Sequence, residues 1–395
     1  MAESLQIDVA IFGGGIAGLW TLDHLVRRGH QALLIETDRL GSGQTITSQG
    51  IIHGGLKYTL DGLLNRSAEA IRDMPRVWRD CFVGTREPDL SSMKLRAECC
   101  HLWRTGGLLS QIGMLGARVG LRVRPEKLPP AEWPAALQGL RGEAYRLPEQ
   151  VLDPARLLHS LAATHRSRLL KLDLENGVDF APANQCLLIT LNSQTSRSLV
   201  IRANRIVLTA GAGNAALRRQ LGLPNELMQR RPLHMVMVRG PMPVLNGHCT
   251  DAAATRVTIT TAHDRAGQTV WQVGGQLAED GVHMERAALI AHAQRELAAT
   301  VPGVNLSDAQ WSTYRVDRAE PLTADGRRPI DAWCRADGPV ITAWPTKLAL
   351  APRLAEMVAA LLPAASGQRA ELPDWPRPEV AVPPWETEQQ WSAAS

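Results

Sequence analysis

The sequence lacks a hydrophobic run long enough to cross a bilayer, since no apolar stretch approaches the roughly 20 residues that a spanning helix needs. It also lacks a lysine- and arginine-rich run typical of nucleic-acid binding, and its formal net charge is only +4. Acidic Glu3 and Asp8 stand where a secretory signal would need positive charge. These absences predict a cytoplasmic protein with no nucleic-acid partner and no transmembrane segment. They leave peripheral contact with a membrane open.

Cysteine is scarce as well, and the six cysteines show no framework spacing, which argues against a disulfide scaffold and fits a reducing cytosol. The run Cys99-Cys100-His101 invites a metal interpretation. Adjacent side chains in a strand point to opposite faces, however, and no second ligand pair lies at zinc spacing. The sequence therefore predicts no metal site.

The first forty residues read as a strand, a glycine-rich turn, a helix and a second strand. Residues 7–12 (IDVAIF) are almost continuously apolar, as expected for a parallel strand covered on both faces. Residues 19–28 show helical apolar spacing and end on two arginines and a glycine, while residues 31–36 (QALLIE) form a second strand. The turn between the first strand and the helix matches G-x-G-x-x-G and consists of Gly13, Gly14, Gly15, Ile16, Ala17 and Gly18.

Each part of this unit suits a bound dinucleotide. Gly13 permits the tight turn, Gly15 lets the backbone approach a pyrophosphate, and Gly18 lets the helix lie close to the strand. Glu36, at the end of the second strand, can accept hydrogen bonds from a ribose diol, and its charge would repel a 2′-phosphate. The unit predicts an ADP-containing cofactor and disfavours NADP.

The segment 41–55 (GSGQTITSQGIIHGG) favours FAD over a nicotinamide cofactor. An ordinary crossover helix is expected in nicotinamide dehydrogenases, but this chain has a long loop rich in glycine and hydroxyl groups. Such a loop has enough donors to line a second phosphate and a flat ring. The loop residues that we assign to the cofactor are Thr45, Ser48, Gln49, Gly50 and Ile51.

Landmarks along nearly the whole chain then resemble the D-amino-acid-oxidase-like superfamily of FAD oxidoreductases, which includes glycine oxidase, glycerol-3-phosphate dehydrogenase and L-2-hydroxyglutarate dehydrogenase. They are residues 151–158 (VLDPARLL), 206–213 (IVLTAGAG), 231–234 (RPLH), 273–275 (VGG) and 320–330 (EPLTADGRRPI). Two places depart from the amino-acid-oxidase pattern. Glu320 stands where many members have arginine, and 344–348 (WPTKL) replaces a glycine-rich turn before the last helix.

The resemblance implies an α/β fold with a discontinuous Rossmann-type FAD-binding domain and a second, α+β substrate domain built on an antiparallel sheet. The FAD-binding domain would comprise residues 1–80, 150–215 and 320–365, and the substrate domain residues 81–149 and 216–319. Alternating strands such as 233–238 (LHMVMV) support a sheet in the latter. Residues 366–395 are rich in proline and tryptophan and are expected to form an extended tail.

The resemblance also extends the cofactor site beyond the first loop. Stabilising a reduced, anionic flavin calls for a lysine, a helix N-terminus or backbone amides near the ring. The turn before the last helix is our candidate for that role. The further cofactor contacts are Val178, Ala210, Gly211, Thr346, Lys347 and Leu348.

Five residues are candidates for the chemistry. His53 is the best general base, because a hydroxy-acid oxidation benefits from a group that titrates near neutrality. The alternatives for His53 are a structural role, in which it packs against the flavin, and covalent attachment of the flavin. Arg315 and Arg318 could hold an anionic group of the substrate, the alternative being surface ion pairs with nearby acids. Lys57 and Tyr58 follow the same loop and could complete the pocket.

The sequence thus predicts an FAD-dependent dehydrogenase or oxidase that oxidises a small anionic substrate, a 2-hydroxy acid or related C–OH compound, by hydride transfer to the flavin. Two alternatives stay open: an amine or amino-acid oxidase of the glycine-oxidase type, and a flavin-binding partner protein with low activity. The electron acceptor, whether oxygen, a quinone or an electron-transfer protein, is open too.

Overall fold

The structure, a computed structural model, describes residues 3–54, 71–106, 125–173, 177–183, 186–192, 198–251, 254–367 and 371–393. Its helices are α1 Ile16–Arg27, α2 Met74–Phe82, α3 Pro154–Thr164, α4 Asn214–Gln220, α5 Gln276–Asp280, α6 Arg286–Thr300, α7 Ala351–Ala360 and α8 Pro384–Thr387. Short 3-10 turns span Pro130–Glu132, Ala135–Leu137, Arg166–Arg168, Gly211–Gly213, Gly281–His283 and Leu348–Leu350.

The strands, also in chain order, divide between two sheets. The first sheet contains β1 Glu3–Phe12, β2 Ala32–Glu36, β6 Leu169–Lys171, β7 Val178–Ala183, β8 Cys186–Asn192, β9 Ser198–Leu208, β15 Trp333–Asp337 and β16 Val340–Trp344. The second contains β3 Cys100–Arg104, β4 Glu126–Leu128, β5 Glu143–Leu147, β10 Met228–Gly240, β11 Gly247–Asp251, β12 Ala254–His263, β13 Thr269–Gly274, β14 Gln310–Pro321 and β17 Ser392–Ala393.

The first sheet has a parallel centre in the order β16-β9-β1-β2-β6. Antiparallel strands flank it, β15 beside β16 and the β7–β8 pair beside β9. The central strand β1 is buried on both faces, which explains why residues 7–12 are apolar apart from Asp8. Helix α1 is covered too, since it packs against α3 and α7 as well as the sheet. The carboxyl ends of β1 and β2 therefore open onto one edge, beside the N-terminus of α1.

The second sheet is antiparallel apart from one parallel pair, β3 with β11. The sequence predicts an antiparallel sheet here, and all its other strand pairs are antiparallel in the residues that the structure describes. Helix α6 covers one face through Leu289, Ala293 and Leu297, which belong to the same core as Trp271 and Trp311.

The loop 41–51 joins the two sheets. The Gln49 side-chain amide donates to the carbonyls of Thr258 and Gln272, at 3.0 Å in each case. The Tyr314 hydroxyl donates to the carbonyl of Thr47 at 3.0 Å, and the Ala319 amide donates to Gln44 Oε1 at 2.8 Å. A loop that looks unstructured in the sequence is therefore fixed by the strands of the second sheet.

The C-terminal segment 371–393 is largely extended but packs onto the body of the protein. Trp375 and Trp385 are buried, and β17 pairs with β14 at the edge of the second sheet. Within the residues that the structure describes, no helix combines the length and apolar character that crossing a bilayer requires. The domain boundaries predicted from the sequence stay a prediction.

Candidate functional site

A cavity of about 1150 Å³ lies between the two sheets. Its walls come from the turn after β1, the end of β2, the loop 41–51, the turn 209–213, strands β10 and β14, and residues 343–349. Ordinary small-ligand pockets occupy roughly 300–1,000 Å³, so this one has room for a dinucleotide together with a small substrate.

The turn at one end of the cavity admits only glycine at two positions. Gly13 has φ +103°, and a Cβ there would lie 2.4 Å from the Cα of Ala210. A Cβ on Gly18 would lie 2.0 Å from the carbonyl oxygen of Gly13, so this glycine lets α1 approach β1 closely. Gly15 is the N-cap of α1 and has no side chain with which to cap the helix. The helix thus presents backbone and a positive dipole end to the cavity, which suits a phosphate group.

Glu36 holds this turn from the neighbouring strand. Its Oε2 accepts a hydrogen bond from the backbone amide of Gly14 at 2.6 Å, and its Oε1 accepts one from the amide of Asp38 at 2.9 Å. Thr45 fixes the turn from the loop 41–51, because its hydroxyl oxygen accepts a hydrogen bond from the backbone amide of Ile16 at 3.1 Å. The carboxylate therefore stands at the cavity wall in the place that a ribose diol would need.

The far end of the cavity is formed by the turn before α7. Thr346 has φ +60°, a left-handed conformation that glycine adopts readily and that a β-branched residue adopts rarely. Its hydroxyl donates to the carbonyl of Asp331 at 3.1 Å. Burial, together with the positive charge of Arg328, lowers the pKa of Lys347 from 10.5 to about 8. A strained backbone and a desolvated ammonium both mark this turn as functional.

His53 lines the cavity and contacts two buried polar residues. Its Nδ1 lies 3.4 Å from Oε2 of Glu149, and Oε1 of Glu149 accepts a hydrogen bond of 2.6 Å from the Gly54 amide. The ring of His248 packs against it, with centroids 5.3 Å apart. Ligand-type atoms of His53, Glu149 and His248 all lie within 4.8 Å of one another. The sequence suggests no such cluster, because its members are far apart in the chain.

Arginines surround a single carboxylate on the wall formed by β10 and β14. Nη1 of Arg318 lies 3.1 Å from Oε1 of Glu279, while Arg231 and Arg328 approach the same oxygen at 3.6 and 3.8 Å. Burial lowers the pKa of Arg318, and repulsion by Arg328 and Arg231 adds to the effect. Three guanidinium groups share Glu279, and Arg231 also contacts Glu320 at 3.4 Å. Four arginines line this end of the cavity, Arg231, Arg318, Arg327 and Arg328, against three carboxylates, Glu279, Asp317 and Glu320. Positive charge therefore exceeds negative charge here, as an anionic ligand requires.

The structure places most of the predicted site residues at this cavity. Those that line it are Gly13, Gly15, Ile16, Ala17, Glu36, Thr45, Ser48, Gln49, Gly50, Ile51, His53, Val178, Ala210, Gly211, Arg318, Thr346, Lys347 and Leu348. Gly14 and Gly18 do not line it and instead support the turn through their backbone. Lys57 and Tyr58 lie outside the described residues.

Arg315 is not part of the cavity wall, contrary to the prediction. It lies three residues before Arg318 on β14, and an odd separation places two side chains on opposite faces of a strand. Its guanidinium donates to the carbonyls of Val282 and Met284 at 2.7 and 2.9 Å. Arg315 thus ties β14 to the segment before α6.

Several residues of the site were not predicted from the sequence: Arg231, Arg328 and Glu279 line the cavity, and Glu149 and His248 contact His53 beside it. Arg231 and Arg328 fall within the landmarks 231–234 and 320–330, so the landmarks contained a signal for them. Glu149, His248 and Glu279 belong to no motif, and no spacing in the sequence could have identified them. Only the folded chain brings them to His53 and Arg318.

The chain was compared with known proteins. The family described as "DAO: FAD dependent oxidoreductase" matches residues 8–361. The Pseudomonas aeruginosa protein named "Probable FAD-dependent oxidoreductase PA4991" is 44% identical over 98% of this chain and 99% of its own length. The crystal structure of that oxidoreductase superposes with a TM-score of 0.82 at 41% identity, over 98% of this chain and 99% of the other.

Two more distant structures share the fold. Glycine oxidase from Geobacillus kaustophilus has a TM-score of 0.65 at 17% identity, over 90% of this chain and 94% of its own. L-α-glycerophosphate oxidase from Mycoplasma pneumoniae, solved with FAD bound, has a TM-score of 0.65 at 14% identity, over 96% of this chain and 99% of its own.

The residues at the cavity fit FAD. Gly13 and Gly15 line the cavity without side chains, the Glu36 carboxylate on its wall could accept hydrogen bonds from a ribose diol, and the cavity continues to the turn at Lys347. The mixed α/β fold predicted from the sequence is confirmed by the superposed structures. The chain binds FAD as its cofactor and belongs to the DAO family of FAD-dependent oxidoreductases.

Proposed function

We propose that this enzyme oxidises the C–OH group of a small anionic compound, most simply a 2-hydroxy acid, to a carbonyl. The observation that carries the proposal is that one cavity has both a histidine and an excess of arginine on its walls. His53 lies on the loop 41–54, and Arg318 lies on β14 opposite that loop. An alcohol oxidation needs a proton acceptor and a site for the anionic group of the substrate, and the cavity offers both.

The roles follow from the chemistry. The carboxylate of the substrate binds Arg318 together with Arg231 or Arg328, because charge-assisted hydrogen bonds to guanidinium groups fix both position and orientation. His53 accepts the proton of the hydroxyl group as the carbonyl forms. FAD, held by the turn after β1, the loop 41–51 and the turn at Lys347, would supply the redox chemistry as the hydride acceptor.

The more distant structures define two substrate classes to compare. Glycerophosphate oxidase acts on an alcohol with an anionic group, as in our proposal, whereas glycine oxidase acts on an amino acid. A neutral amine can donate hydride without a base, so amine oxidation would give His53 little to do. The position of His53 on the cavity wall supports the alcohol class.

An anaerobic screen of the FAD-loaded enzyme tests the proposal. The substrates are 2-hydroxy acids, glycerol phosphate and amino acids, and the readout is bleaching of the flavin band near roughly 450 nm. We expect reduction by a hydroxy acid, no reduction by the corresponding uncharged alcohol, and a loss of at least about 100-fold in rate in His53→Asn. Reduction by amino acids alone, unaffected by His53→Asn, would contradict the proposal.

A further inference from the structure

We propose that Glu149 is a positioning residue for His53: it holds the imidazole in the tautomer with hydrogen on Nδ1, so that Nε2 is the proton acceptor. This inference rests on the proposed function for its catalytic meaning. The tautomer itself is a property of the protein that can be measured without any substrate.

The contacts fix the Glu149 carboxylate before any ligand binds. Its Oε1 accepts from the Gly54 amide at 2.6 Å, and its side chain is only 4% exposed. The other oxygen, Oε2, lies 3.4 Å from Nδ1 of His53. An ionised carboxylate accepts hydrogen bonds and donates none, so the hydrogen of this contact must belong to Nδ1. The lone pair of a neutral His53 is then on Nε2.

His248 limits the movement of this pair. It lies on β11, is 1% exposed, and its Nδ1 lies 2.9 Å from the hydroxyl oxygen of Thr258. Its ring is tilted by 32° relative to that of His53. Among the described residues, Glu149 and His248 are therefore the titratable groups that contact His53, and one of them is an acid.

The proton balance of the step is simple. The O–H bond of the substrate breaks and an N–H bond forms at Nε2 of His53, while the hydride leaves the carbon atom for FAD, as in the proposed function. Glu149 stays ionised throughout and stabilises the imidazolium across the Nδ1 contact. The proton on His53 returns to solvent after the carbonyl product leaves.

Glu149→Gln is the informative variant. The glutamine Oε1 can still accept from the Gly54 amide, but its NH₂ group would now face Nδ1 of His53 and would favour hydrogen on Nε2. We expect two independent effects. Long-range ¹H–¹⁵N NMR of the oxidised, FAD-loaded enzyme should show the His53 tautomer reversed, the His53 signals being assigned by their loss in His53→Asn. The rate of flavin reduction should fall about 10²- to 10⁴-fold.

The pH profile separates positioning from a general structural role. Loss of a carboxylate charge beside an imidazole should move the acidic limb of the profile by about one pH unit or more toward lower pH. Glu149→Asp keeps the charge and should retain the Nδ1–H tautomer with an intermediate rate. Glu126→Gln makes the same chemical change at an exposed carboxylate of the second sheet and should change neither the tautomer nor the rate. In a His53→Asn background, Glu149→Gln should have no further effect on rate.

The outcomes are distinct. An unchanged His53 tautomer and an unchanged acidic limb in Glu149→Gln, with normal flavin content, would overturn the inference. Stoichiometric Zn²⁺ binding to the wild-type enzyme that is lost in both Glu149→Gln and His248→Ala would also overturn it, because the cluster would then be a metal site. A reversed tautomer in an enzyme that no hydroxy acid reduces would leave the positioning role intact and remove only the proposed function.

Discussion

Glu36 Oε2 accepts a hydrogen bond from the backbone amide of Gly14 at 2.6 Å, and this contact connects the end of β2 to the turn after β1. The two residues are 22 positions apart in the chain, and the helix α1 lies between them. One carboxylate thus shapes the turn and presents a charge to the cavity at the same place.

Replacing Glu36 should weaken FAD binding. Glu36→Ala removes both the contact with Gly14 and the acceptor for the ribose, and we expect the Kd for FAD to rise about 10- to 100-fold, which corresponds to roughly 1.4–2.7 kcal/mol. Glu36→Gln keeps an acceptor for Gly14 and should cause a smaller loss. Fluorescence titration of the flavin-depleted protein measures both values. Equal affinity in the wild type and Glu36→Ala would contradict the assignment.

Arg318 and Arg315 form a matched pair for testing the anion site. Arg318 lines the cavity, whereas Arg315 binds backbone carbonyls on the other face of β14. Arg318→Met should lower kcat/KM for an anionic substrate about 10- to 100-fold, chiefly through KM, since a charge-assisted contact contributes about 1.5–3 kcal/mol. Arg315→Met should leave KM unchanged. Steady-state kinetics with the substrate found by the screen measures KM and kcat for both variants. Equal effects of Arg318→Met and Arg315→Met would contradict the assignment of the anion site to Arg318.

Lys347 should make stability depend on pH. Its pKa is about 8 in the folded protein because of burial, against 10.5 for an ordinary lysine. Between these values the unfolded chain binds more protons, so the contribution of Lys347 to the free energy of unfolding rises with pH. Below pH 8 both states are protonated, and the cost of the buried ammonium is present in full.

Lys347→Met removes that cost. Flavin-depleted Lys347→Met should be more stable than the flavin-depleted wild type at pH 7, and the difference should shrink as the pH approaches 9.5. Urea denaturation at several pH values between 6.5 and 9.5 gives the difference directly. A difference that stays constant over this range would show that the ammonium is not desolvated.

Asp23, on α1, should stabilise the packing of α1 against the first sheet. Its carboxylate contacts Arg27 and His165, each at 2.9 Å, and its side chain is 2% exposed. Burial alone would raise the pKa of Asp23, but the hydrogen bonds with His165 and Arg27 outweigh it and lower the pKa. The stabilisation is therefore present above the ordinary carboxyl pKa and is lost as the pH falls through the lowered value.

Asp23→Asn tests this role by removing the charge of the carboxylate. It should lower the free energy of unfolding by about 1.5–3 kcal/mol at pH 7, because hydrogen bonds to charged groups contribute in that range. Asp80→Asn breaks a partly exposed pair with Arg76, whose loss should cost only about 0.3–0.5 kcal/mol. Chemical denaturation of the FAD-loaded proteins measures both. Similar losses in the two variants would contradict the role given to Asp23.

Local patterns predict the first sheet well. An apolar strand, the glycines at 13–18 and a strand ending in Glu36 are adjacent in sequence, and their chemistry depends on neighbours within one βαβ unit. Arg315 shows the limit of such reasoning. Its residue type matched the chemistry, but the alternation of side chains along β14 turned it away from the cavity. The same alternation shows that only one of Arg315 and Arg318 can face the cavity, and the structure shows that it is Arg318.

The sequence by itself determined the cofactor and the family, because the turn at Gly13, the acid at Glu36 and the ordered landmarks are properties of short segments. Only the tertiary structure decided which side chains face the substrate. Glu149 reaches His53 from 96 residues away, and Glu279 reaches Arg318 from 39. Such contacts depend on how α5 packs beside β14 and how the segment after β5 packs against residues 53–54, and packing between distant segments leaves no fixed spacing in the sequence.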